Sequence, residues 1–375
     1  MDITLLAINW PSVGLKVAQL LLSLSILVIL HEFGHYITAK WFKCRVEKFY
    51  LFFDPWFSIF KKKIGDTVYG IGWLPLGGYV KISGMVDESM DKESLKLPPQ
   101  SWEFRSKPAW QRLIIMLGGV TVNILLAFVI YAGILMTWGE KKIPASSLKH
   151  GITFNDSLFN DLGFKNGDKV LAVDGKPVVE YTDILKKILV VNNNVTVERE
   201  GKVTVLNMPV DLIGKLVEKK KLADGPLISP RIPVIISEIR DTSFAYKAGL
   251  RKGDLIVGVD TVQTKFYDQF DAVMKKQKKG DTINLVVKRN DSLINLTTTL
   301  IAGGKIGFSR PSSHEEYDSL GIYKYEVKKY GFFAAFPAGV KRAGKELQFY
   351  IDQFKKILSP STGAYKGVGG FKAMG

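Results

Sequence analysis

Residues 17–35 read VAQLLLSLSILVILHEFGH. The first fourteen residues carry no charge, but this run is shorter than the ~20 apolar residues that a membrane-spanning helix needs. The apolar segment reaches that length, over about Val13–Phe42, only by continuing through His31, Glu32 and His35. Ionisable side chains are costly inside a membrane span, so their presence in one indicates a functional site.

His31-Glu-Phe-Gly-His35 matches the H-E-x-x-H pattern. Residues four apart on a helix share one face, so the two imidazoles can converge on one zinc ion. Glu32 lies beside the pair and can act as general base on a water molecule and later as proton donor. The alternative is a pair of hydrogen-bonded helix histidines. Three polar side chains at the end of an apolar span favour the zinc site.

A second apolar segment, Leu113–Trp138, contains no charged residue and is long enough to cross a bilayer. Basic residues flank the loop between the two spans at both ends, namely Lys40, Lys43, Arg45, Lys48, Arg105, Lys107 and Arg112. The positive-inside rule then predicts that this loop is cytoplasmic. The N-terminus and everything after Trp138 would lie on the other side of the membrane.

Within this loop, residues 67–82 read TVYGIGWLPLGGYVKI. Apolar and aromatic residues that alternate with glycines predict a β-hairpin or meander. Two interpretations stay open at this point. The segment could form a small cytoplasmic sheet, or a platform of strands close to the histidine pair.

The composition limits the class of protein. The 375 residues carry a formal net charge of +16 and contain one cysteine, Cys44, which excludes an internal disulfide and a Cys-rich zinc site. The mean hydropathy of +0.08 suits a chain that is partly in a membrane and partly soluble. The lysines are scattered along the chain, which favours a solubilising surface and a lipid bilayer partner over nucleic acid.

An internal repeat occupies residues 146–305. LGFKNGDKVLAVDG at 162–175 aligns with AGLRKGDLIVGVDT at 248–261, an offset of 86 residues. Each copy contains a Gly-Asp turn before an apolar strand, and a helical pattern and further strand-like runs follow. A period of this length predicts two similar α+β modules.

Residues 330–358 show helical periodicity, but lysines interrupt them too often for a membrane span. They predict an amphipathic helix that lies on the membrane or on the protein. The predicted organisation is a first span with the H-E-x-x-H motif at 1–42, a membrane-associated β-loop region at 43–112, a second span at 113–140, two modules at 146–222 and 228–305, and a tail at 306–375.

Taken in order, the motifs resemble those of the RseP-type site-2 protease family of bacterial intramembrane metalloproteases. They are His31-Glu-Phe-Gly-His35, Pro75-Leu-Gly-Gly-Tyr-Val-Lys81, Asn123 within the second span, and tandem modules similar to PDZ domains. The resemblance covers essentially the whole chain. It implies a membrane α-helical fold with a membrane-associated β-loop and two α+β PDZ-like domains. It also implies a multi-pass protein of the bacterial cytoplasmic (inner) membrane, with these domains on the extracytoplasmic side.

The resemblance assigns roles to matched positions. His31 and His35 would be ligands of Zn²⁺, and Glu32 the catalytic acid and base. Asn123 would lie near the active site and contact substrate, with a helix–helix hydrogen bond as an equally open alternative.

The β-loop would pair with an extended substrate, since a peptide bond in a helix must be unwound before water can attack it. Its substrate-binding residues would be Gly77, Gly78, Tyr79 and Val80.

The implied activity is that of a zinc metalloendopeptidase that cuts single-span membrane proteins such as anti-sigma factors. The PDZ-like domains would gate substrates by size and could bind peptide ligands. A catalytically inert membrane PDZ adaptor is the alternative, and a zinc-binding transporter component is a third, which the repeat disfavours.

The family's third zinc ligand is an aspartate in a Leu-Asp-Gly motif on a later span, and residues 1–375 contain no counterpart. Residues 369–375 resemble the stretch that leads toward that span. The expectation is therefore that further C-terminal spans and the third ligand are missing from this sequence, so that the active site cannot be completed from these residues alone.

Overall fold

The computed structural model describes residues 10–85, 98–218, 226–301 and 305–367. The chain divides into two compact units, one with Met1–Met136 and Gly331–Gly344 and the other with Thr137–Tyr330 and Lys345–Val368. The predicted lead-in at 369–375 lies outside the described residues.

The first unit begins with two long helices and two long strands. In chain order these are α1 (Trp10–Trp41), β1 (Val46–Ile64), β2 (Thr67–Ile82) and α2 (Ala109–Thr137). Both helices are long and apolar enough to cross a membrane. The prediction of two apolar helices is thus confirmed. Apolar side chains remain exposed along both, as for Leu22 at 63% and Leu125 at 54%.

Helices α1 and α2 approach each other where their glycines meet. A Cβ atom on Gly34 would lie 2.3 Å from the carbonyl oxygen of Gly118, and one on Gly118 would lie 2.5 Å from the carbonyl oxygen of Gly34. Any side chain at either position would force the helices apart. Small residues therefore allow the close contact that apolar helices need in place of a hydrophobic driving force.

Strands β1 and β2 form an antiparallel sheet in which each long strand bends back on itself. Residues 48–51 pair with 78–81 on one side and with 68–71 on the other, and 58–64 pair with 67–72. In this pairing the segment around Gly78 lies at the outer side of the sheet.

The sheet is fixed to the helices by a small core and by one polar contact. Ala39, Cys44 and Ile115 are buried in this core together with residues of both strands. The hydroxyl groups of Tyr36 and Tyr69 lie 2.6 Å apart, which ties α1 to β2. Burial also raises the pKa of the Cys44 thiol, as expected for a structural cysteine.

The second unit contains the two repeated modules. Its elements are β3 (Glu140–Lys142), β4 (Ile152–Phe154), α3 (Ser157–Asp161), β5 (Lys169–Val173), β6 (Lys176–Pro177), α4 (Tyr181–Leu189), β7 (Asn194–Arg199), β8 (Lys202–Asn207), α5 (Leu212–Glu218), β9 (Ile228–Pro230), β10 (Val234–Ile235), β11 (Glu238–Ile239), α6 (Phe244–Lys247), β12 (Leu255–Val259), β13 (Val262–Gln263), α7 (Tyr267–Met274), β14 (Thr282–Arg289), β15 (Ser292–Thr299), β16 (Phe308–Ser309), α8 (His314–Ser319) and β17 (Glu326–Lys328). Helix α9 (Phe332–Leu358) follows β17.

The two modules share one topology. The first has a sheet in the order β6-β5-β7-β8, and the second has β10-β12-β14-β15 with β13 beside β12. In both, the strand after the Gly-Asp turn pairs with the first strand of a long hairpin, and one helix precedes that hairpin. Each module has its own buried apolar core.

The same ion pair stabilises each module. Arg199 Nε donates to Asp168 at 2.7 Å, and Arg289 Nε donates to Asp254 at 2.7 Å. Both carboxylates are 1% exposed. The hydrogen bonds that each carboxylate accepts raise the pKa of its arginine partner. The two aspartates stand at equivalent places in the sequence repeat, but the arginines lie outside the aligned stretch.

The module boundaries differ from the predicted 146–222 and 228–305. Strand β9, at 228–230, pairs with β4 of the first module, and β16, at 308–309, pairs with β11 of the second. The repeat marks only the segment that both copies share. The short edge strands lie outside that segment and carry no repeat signal of their own.

Helix α9 begins two residues after the start of the predicted tail helix and ends at the predicted residue. In the first unit, a Cβ atom on Gly339 would lie 2.7 Å from the backbone nitrogen of Ala132, so α9 packs closely on α2. In the second unit, Glu346 pairs with Lys186 at 3.1 Å.

Candidate metal and catalytic site

His31 and His35 lie one turn apart on the same face of α1. Their ring centroids are 4.8 Å apart at an interplanar angle of 77°, and their Nε2 atoms are 3.2 Å apart. The helical spacing of the motif therefore brings the two imidazoles together as the sequence suggested.

Gly119 of α2 leaves the space into which the two rings point. A Cβ atom on this residue would lie 2.5 Å from His35 Nε2 and 2.7 Å from His31 Nε2. Distances this short mean that one or both rings would have to move if position 119 carried a side chain. The absent side chain creates a cradle beside both nitrogens, between the two helices.

The Nδ1 atom of each ring has a partner on α2. His35 Nδ1 lies 2.8 Å from the backbone carbonyl oxygen of Ile115, and His31 Nδ1 lies 3.3 Å from Asn123 Nδ2. Within the described residues, Asn123 Oδ1 is buried without a hydrogen-bond partner. A backbone carbonyl such as that of Ile115 is a common partner for the nitrogen of a histidine ligand that does not bind the metal.

This donor set fits zinc. Two nitrogens bound at 2.0–2.1 Å in tetrahedral geometry are about 3.3 Å apart, close to the separation of the two Nε2 atoms. The cradle at Gly119 lies beside both nitrogens. Across residues 10–85, 98–218, 226–301 and 305–367, no group of three or more His, Cys, Asp and Glu side chains is arranged to hold a metal ion.

Glu32 lies beside the outer segment of β2. A Cβ atom on Gly78 would lie 3.4 Å from Glu32 Cγ, 2.8 Å from Val28 Cγ1 and 2.8 Å from the backbone oxygen of Tyr50. The glycine thus lets the backbone of β2 pass against the face of α1 that carries Glu32. Residues 67–82 were open to two interpretations, a small cytoplasmic sheet or a platform of strands close to the histidine pair. The position of Gly78 beside Glu32 agrees with the platform of strands.

The neighbours of Gly78 have different surroundings. Gly77 has φ of 155°, and a Cβ atom there would lie 2.9 Å from the ring of Phe53. Tyr79 Oη donates to Asp54 at 2.8 Å, and Val80 packs on the small core of the first unit. The side chains of Tyr79 and Val80 are therefore half-buried and have partners within the first unit.

The two other histidines have packing roles in the second unit. His150 lies with its ring centroid 5.1 Å from that of Phe266, and His314 Nδ1 lies 2.9 Å from Tyr323 Oη.

The second module has a groove between α7 and β16 with a volume of about 730 Å³. Apolar side chains of Phe270, Met274 and Phe308 line it together with Lys275 and Arg310.

Sequence reasoning did not identify Ile115 and Gly119 as part of the site. A backbone carbonyl leaves no signal in a sequence. The adjacent pair Gly118-Gly119 inside an apolar span is a signal, since such glycines indicate a close helix contact. It does not show that histidines occupy that contact.

Residues 19–374 match the family model described as Peptidase family M50. A protein of Rickettsia conorii, named as a predicted zinc metalloprotease, is 33% identical over 225 residues, which cover 56% of this chain and 60% of that protein. One of Borreliella burgdorferi with the same kind of name is 28% identical over 307 residues, covering 80% and 64%. One of Xylella fastidiosa is 24% identical over 367 residues, covering 92% and 77%. The chain thus spans less than two thirds of the first two relatives.

Among solved structures, the PDZ domain of an SdrC-like protein from Listeria monocytogenes is 27% identical and covers 20% of this chain and 85% of that chain, with a TM-score of 0.19. The corresponding domain from Listeria innocua is 24% identical and covers 22% and 98%, also with a TM-score of 0.19.

Proposed function

We propose, since the chain belongs to peptidase family M50, that it carries the metal-binding and catalytic helix of an intramembrane zinc metalloendopeptidase. The resemblance seen in the order of the motifs is thereby confirmed at the level of the family. The observation that carries the proposal is the 3.2 Å separation of the two Nε2 atoms beside the cradle at Gly119.

His31 and His35 would hold the zinc ion through Nε2. Bound zinc supplies Lewis-acid chemistry, which polarises a carbonyl group and makes water a better nucleophile near neutral pH. The backbone carbonyl of Ile115 orients His35 by accepting from Nδ1. This leaves the Nε2 lone pair of His35 directed toward the metal position.

Glu32 would accept a proton from the attacking water and later donate it to the leaving amine. Glu32 lies three residues before His35 in the sequence and next to Gly78 of β2. A carboxylate in this position can reach the scissile bond of a peptide that runs along the sheet.

The proposed substrate is a single-span membrane protein, of which an anti-sigma factor is an example. Its cleaved segment would be extended and would add to the outer side of the β1–β2 sheet at Gly78, because main-chain pairing holds an extended peptide without dependence on its sequence. The nearness of Gly78 to Glu32 supports this arrangement.

The proposed location is the cytoplasmic membrane of a bacterium. Apolar side chains exposed along α1 and α2 would face lipid. The basic residues between the two helices favour a cytoplasmic β-loop, with the repeated modules on the extracytoplasmic side. There the two modules would gate substrates by size, and the groove beside α7 could take an extended peptide.

The test is cleavage of a model transmembrane substrate by the purified full product of the gene, with zinc content measured in parallel. Glu32→Gln should abolish cleavage and leave zinc bound, because it removes the proton acceptor but no ligand. His31→Ala should remove both zinc and cleavage.

The alternative of an inert membrane PDZ adaptor predicts no cleavage by any form and no effect of Glu32→Gln. Zinc absent from the wild-type protein, or cleavage that persists without Glu32, would contradict the proposal. Repeating the measurement with residues 1–375 tests whether these residues suffice.

A further inference from the structure

A basic pocket at the C-terminal end of α1 has no part in the proposed catalysis. Its volume is about 480 Å³, and it lies where the end of α1, the turn between β1 and β2 and the segment before α2 meet. Three cationic side chains share it with one carboxylate, which leaves an excess of positive charge. The residues that line it are Lys40, Lys43, Cys44, Arg45, Asp66 and Trp102.

The cationic side chains of this pocket have no anionic partner in the protein. Within the part of the chain that the structure describes, neither Lys43 nor Arg45 forms an ion pair or a side-chain hydrogen bond. Lys40 Nζ lies 5.8 Å from the ring centroid of Tyr36 and also forms no ion pair in that part. Like charges held close together repel one another, so an anion that binds between them is stabilised.

The end of helix α1 is closed in a way that reduces its repulsion of an anion. The last carbonyl groups of a helix carry partial negative charge when they are unpaired. The carbonyl of Ala39 accepts from the backbone nitrogen of Cys44 at 2.8 Å. The carbonyl of Lys40 accepts from that of Lys43 at 3.0 Å, in a turn that Lys43 makes with φ of 57°. These two carbonyls are therefore already paired beside the basic side chains.

Aromatic residues place the pocket at the level where a membrane meets water. Trp41 at the end of α1 is 75% exposed and Trp110 at the start of α2 is 58% exposed. Phe42 contacts both, with ring centroids 5.7 and 5.4 Å away. Exposed tryptophans at the ends of apolar helices are typical of the membrane interface, where lipid headgroups lie.

An apolar strip on α1 leads along the helix to the pocket. Phe33, Ile37 and Trp41 follow one another at intervals of four residues and are 41%, 47% and 75% exposed. They therefore share one face of the helix, and Lys40 lies three residues after Ile37 on the adjoining surface. A ligand with a charged head and an apolar chain could contact the basic pocket and this strip together.

We infer that the pocket binds the phosphate-bearing headgroup of an anionic phospholipid, with an acyl chain along the strip of Phe33, Ile37 and Trp41. Basic pockets beside membrane helices are suited to such headgroups. Inorganic phosphate has similar charge chemistry but could not use the apolar strip. The inference rests on the proposed membrane location and does not depend on zinc or on cleavage.

The test measures lipid binding to the full gene product in detergent by native mass spectrometry. The protein is titrated with phosphatidylglycerol and, separately, with phosphatidylcholine, whose headgroup carries no net charge. Inorganic phosphate is then added as a competitor. A double variant, Lys43→Gln with Arg45→Gln, removes two charges from the pocket. Lys61→Gln with Lys63→Gln is the matched control, since it removes the same charge from exposed positions of β1.

The wild type should bind phosphatidylglycerol at least about 10-fold more tightly than phosphatidylcholine. The pocket variant should bind phosphatidylglycerol about 30-fold more weakly, because each basic residue near an anionic lipid contributes about fivefold. The control variant should match the wild type. Thermal unfolding without added lipid should be the same in all three proteins, and the comparison of the two lipids on the wild type needs no variant.

Three outcomes would overturn the inference. They are equal affinity of the wild type for the two lipids, an equal loss of affinity in the two double variants, and displacement of phosphatidylglycerol by an equal concentration of inorganic phosphate. The proposed function can fail separately. A protein that binds no zinc and cleaves nothing but still prefers phosphatidylglycerol through Lys43 and Arg45 would contradict the proposed function and support the lipid site.

Discussion

At the scale of single residues, the site depends on glycine at position 119, which has no side chain. The two imidazoles point into the space that a Cβ atom of Gly119 would fill, at 2.5 and 2.7 Å from their Nε2 atoms. A Cβ atom at position 119 would be fixed to the backbone of α2, and the two histidine rings facing it have little room to move away. In the proposed zinc site, the size of residue 119 would therefore decide whether both Nε2 atoms can reach the metal.

Gly119→Ala should reduce zinc affinity at least about 10-fold, because the new methyl group displaces one or both rings from the metal position. Gly133→Ala is the control in the same helix, since a Cβ atom there meets nothing within 4 Å. Zinc affinity and thermal unfolding are measured for both. Zinc affinity that is equal in the two variants would show that the rings are not confined by α2.

At the scale of elements, the placement of β2 against α1 relies on Gly78. A residue with a side chain there would meet the backbone oxygen of Tyr50 and the methyl group of Val28, both at 2.8 Å. Neither can move easily, since the first belongs to the paired strand and the second to a long helix. The outer segment of β2 would have to shift away from Glu32.

Gly78→Val should lower the cleavage rate about 100-fold while zinc stays bound, since a displacement of about 1 Å in a reacting group can cost that much. Ile64→Ala, on the far strand segment of the same sheet, is the control for damage to the sheet. Loss of zinc in Gly78→Val would contradict this explanation, and so would an unchanged cleavage rate.

The elements could be predicted further than their contacts. Apolar length was enough for α2, and for α1 once the segment was continued through His31, Glu32 and His35. The Gly-Asp turns with their 86-residue offset marked the two modules. The H-E-x-x-H spacing placed His31 and His35 on one face. The Gly118-Gly119 pair indicates a close helix contact. That Gly34 is the partner could not be predicted, because the two positions are far apart in sequence and share no periodic signal.

The same limit applies to partners of the site residues. Asn123 was open between substrate contact and helix packing, and only the structure places it at His31 Nδ1. The arginine partners of Asp168 and Asp254 could not be predicted for a different reason. Arg199 and Arg289 are offset by more than the repeat period, because the loop between helix and hairpin differs in length in the two copies.

At the scale of the whole molecule, the second unit uses one stabilising arrangement twice. Each buried aspartate accepts two hydrogen bonds from its arginine, and the same guanidinium donates to the carbonyl of Gly163 in one module and of Gly249 in the other. Each pair fixes the strand after the Gly-Asp turn to the hairpin of its own module. The separate cores predict that damage to one pair stays local.

Asp168→Asn should destabilise the first module by about 2–3 kcal/mol, less than for a fully buried pair because Arg199 is partly exposed. Hydrogen–deuterium exchange on the intact protein should then rise in β5, β7 and β8 while β12, β14 and β15 keep their protection. Asp254→Asn should give the reverse pattern, because its partner Arg289 belongs to the second module. Asp291→Asn removes an exposed partner of Lys288 and should change neither module. Faster exchange in both modules after either single substitution would mean that they unfold together, and the separate cores would then not act as independent units.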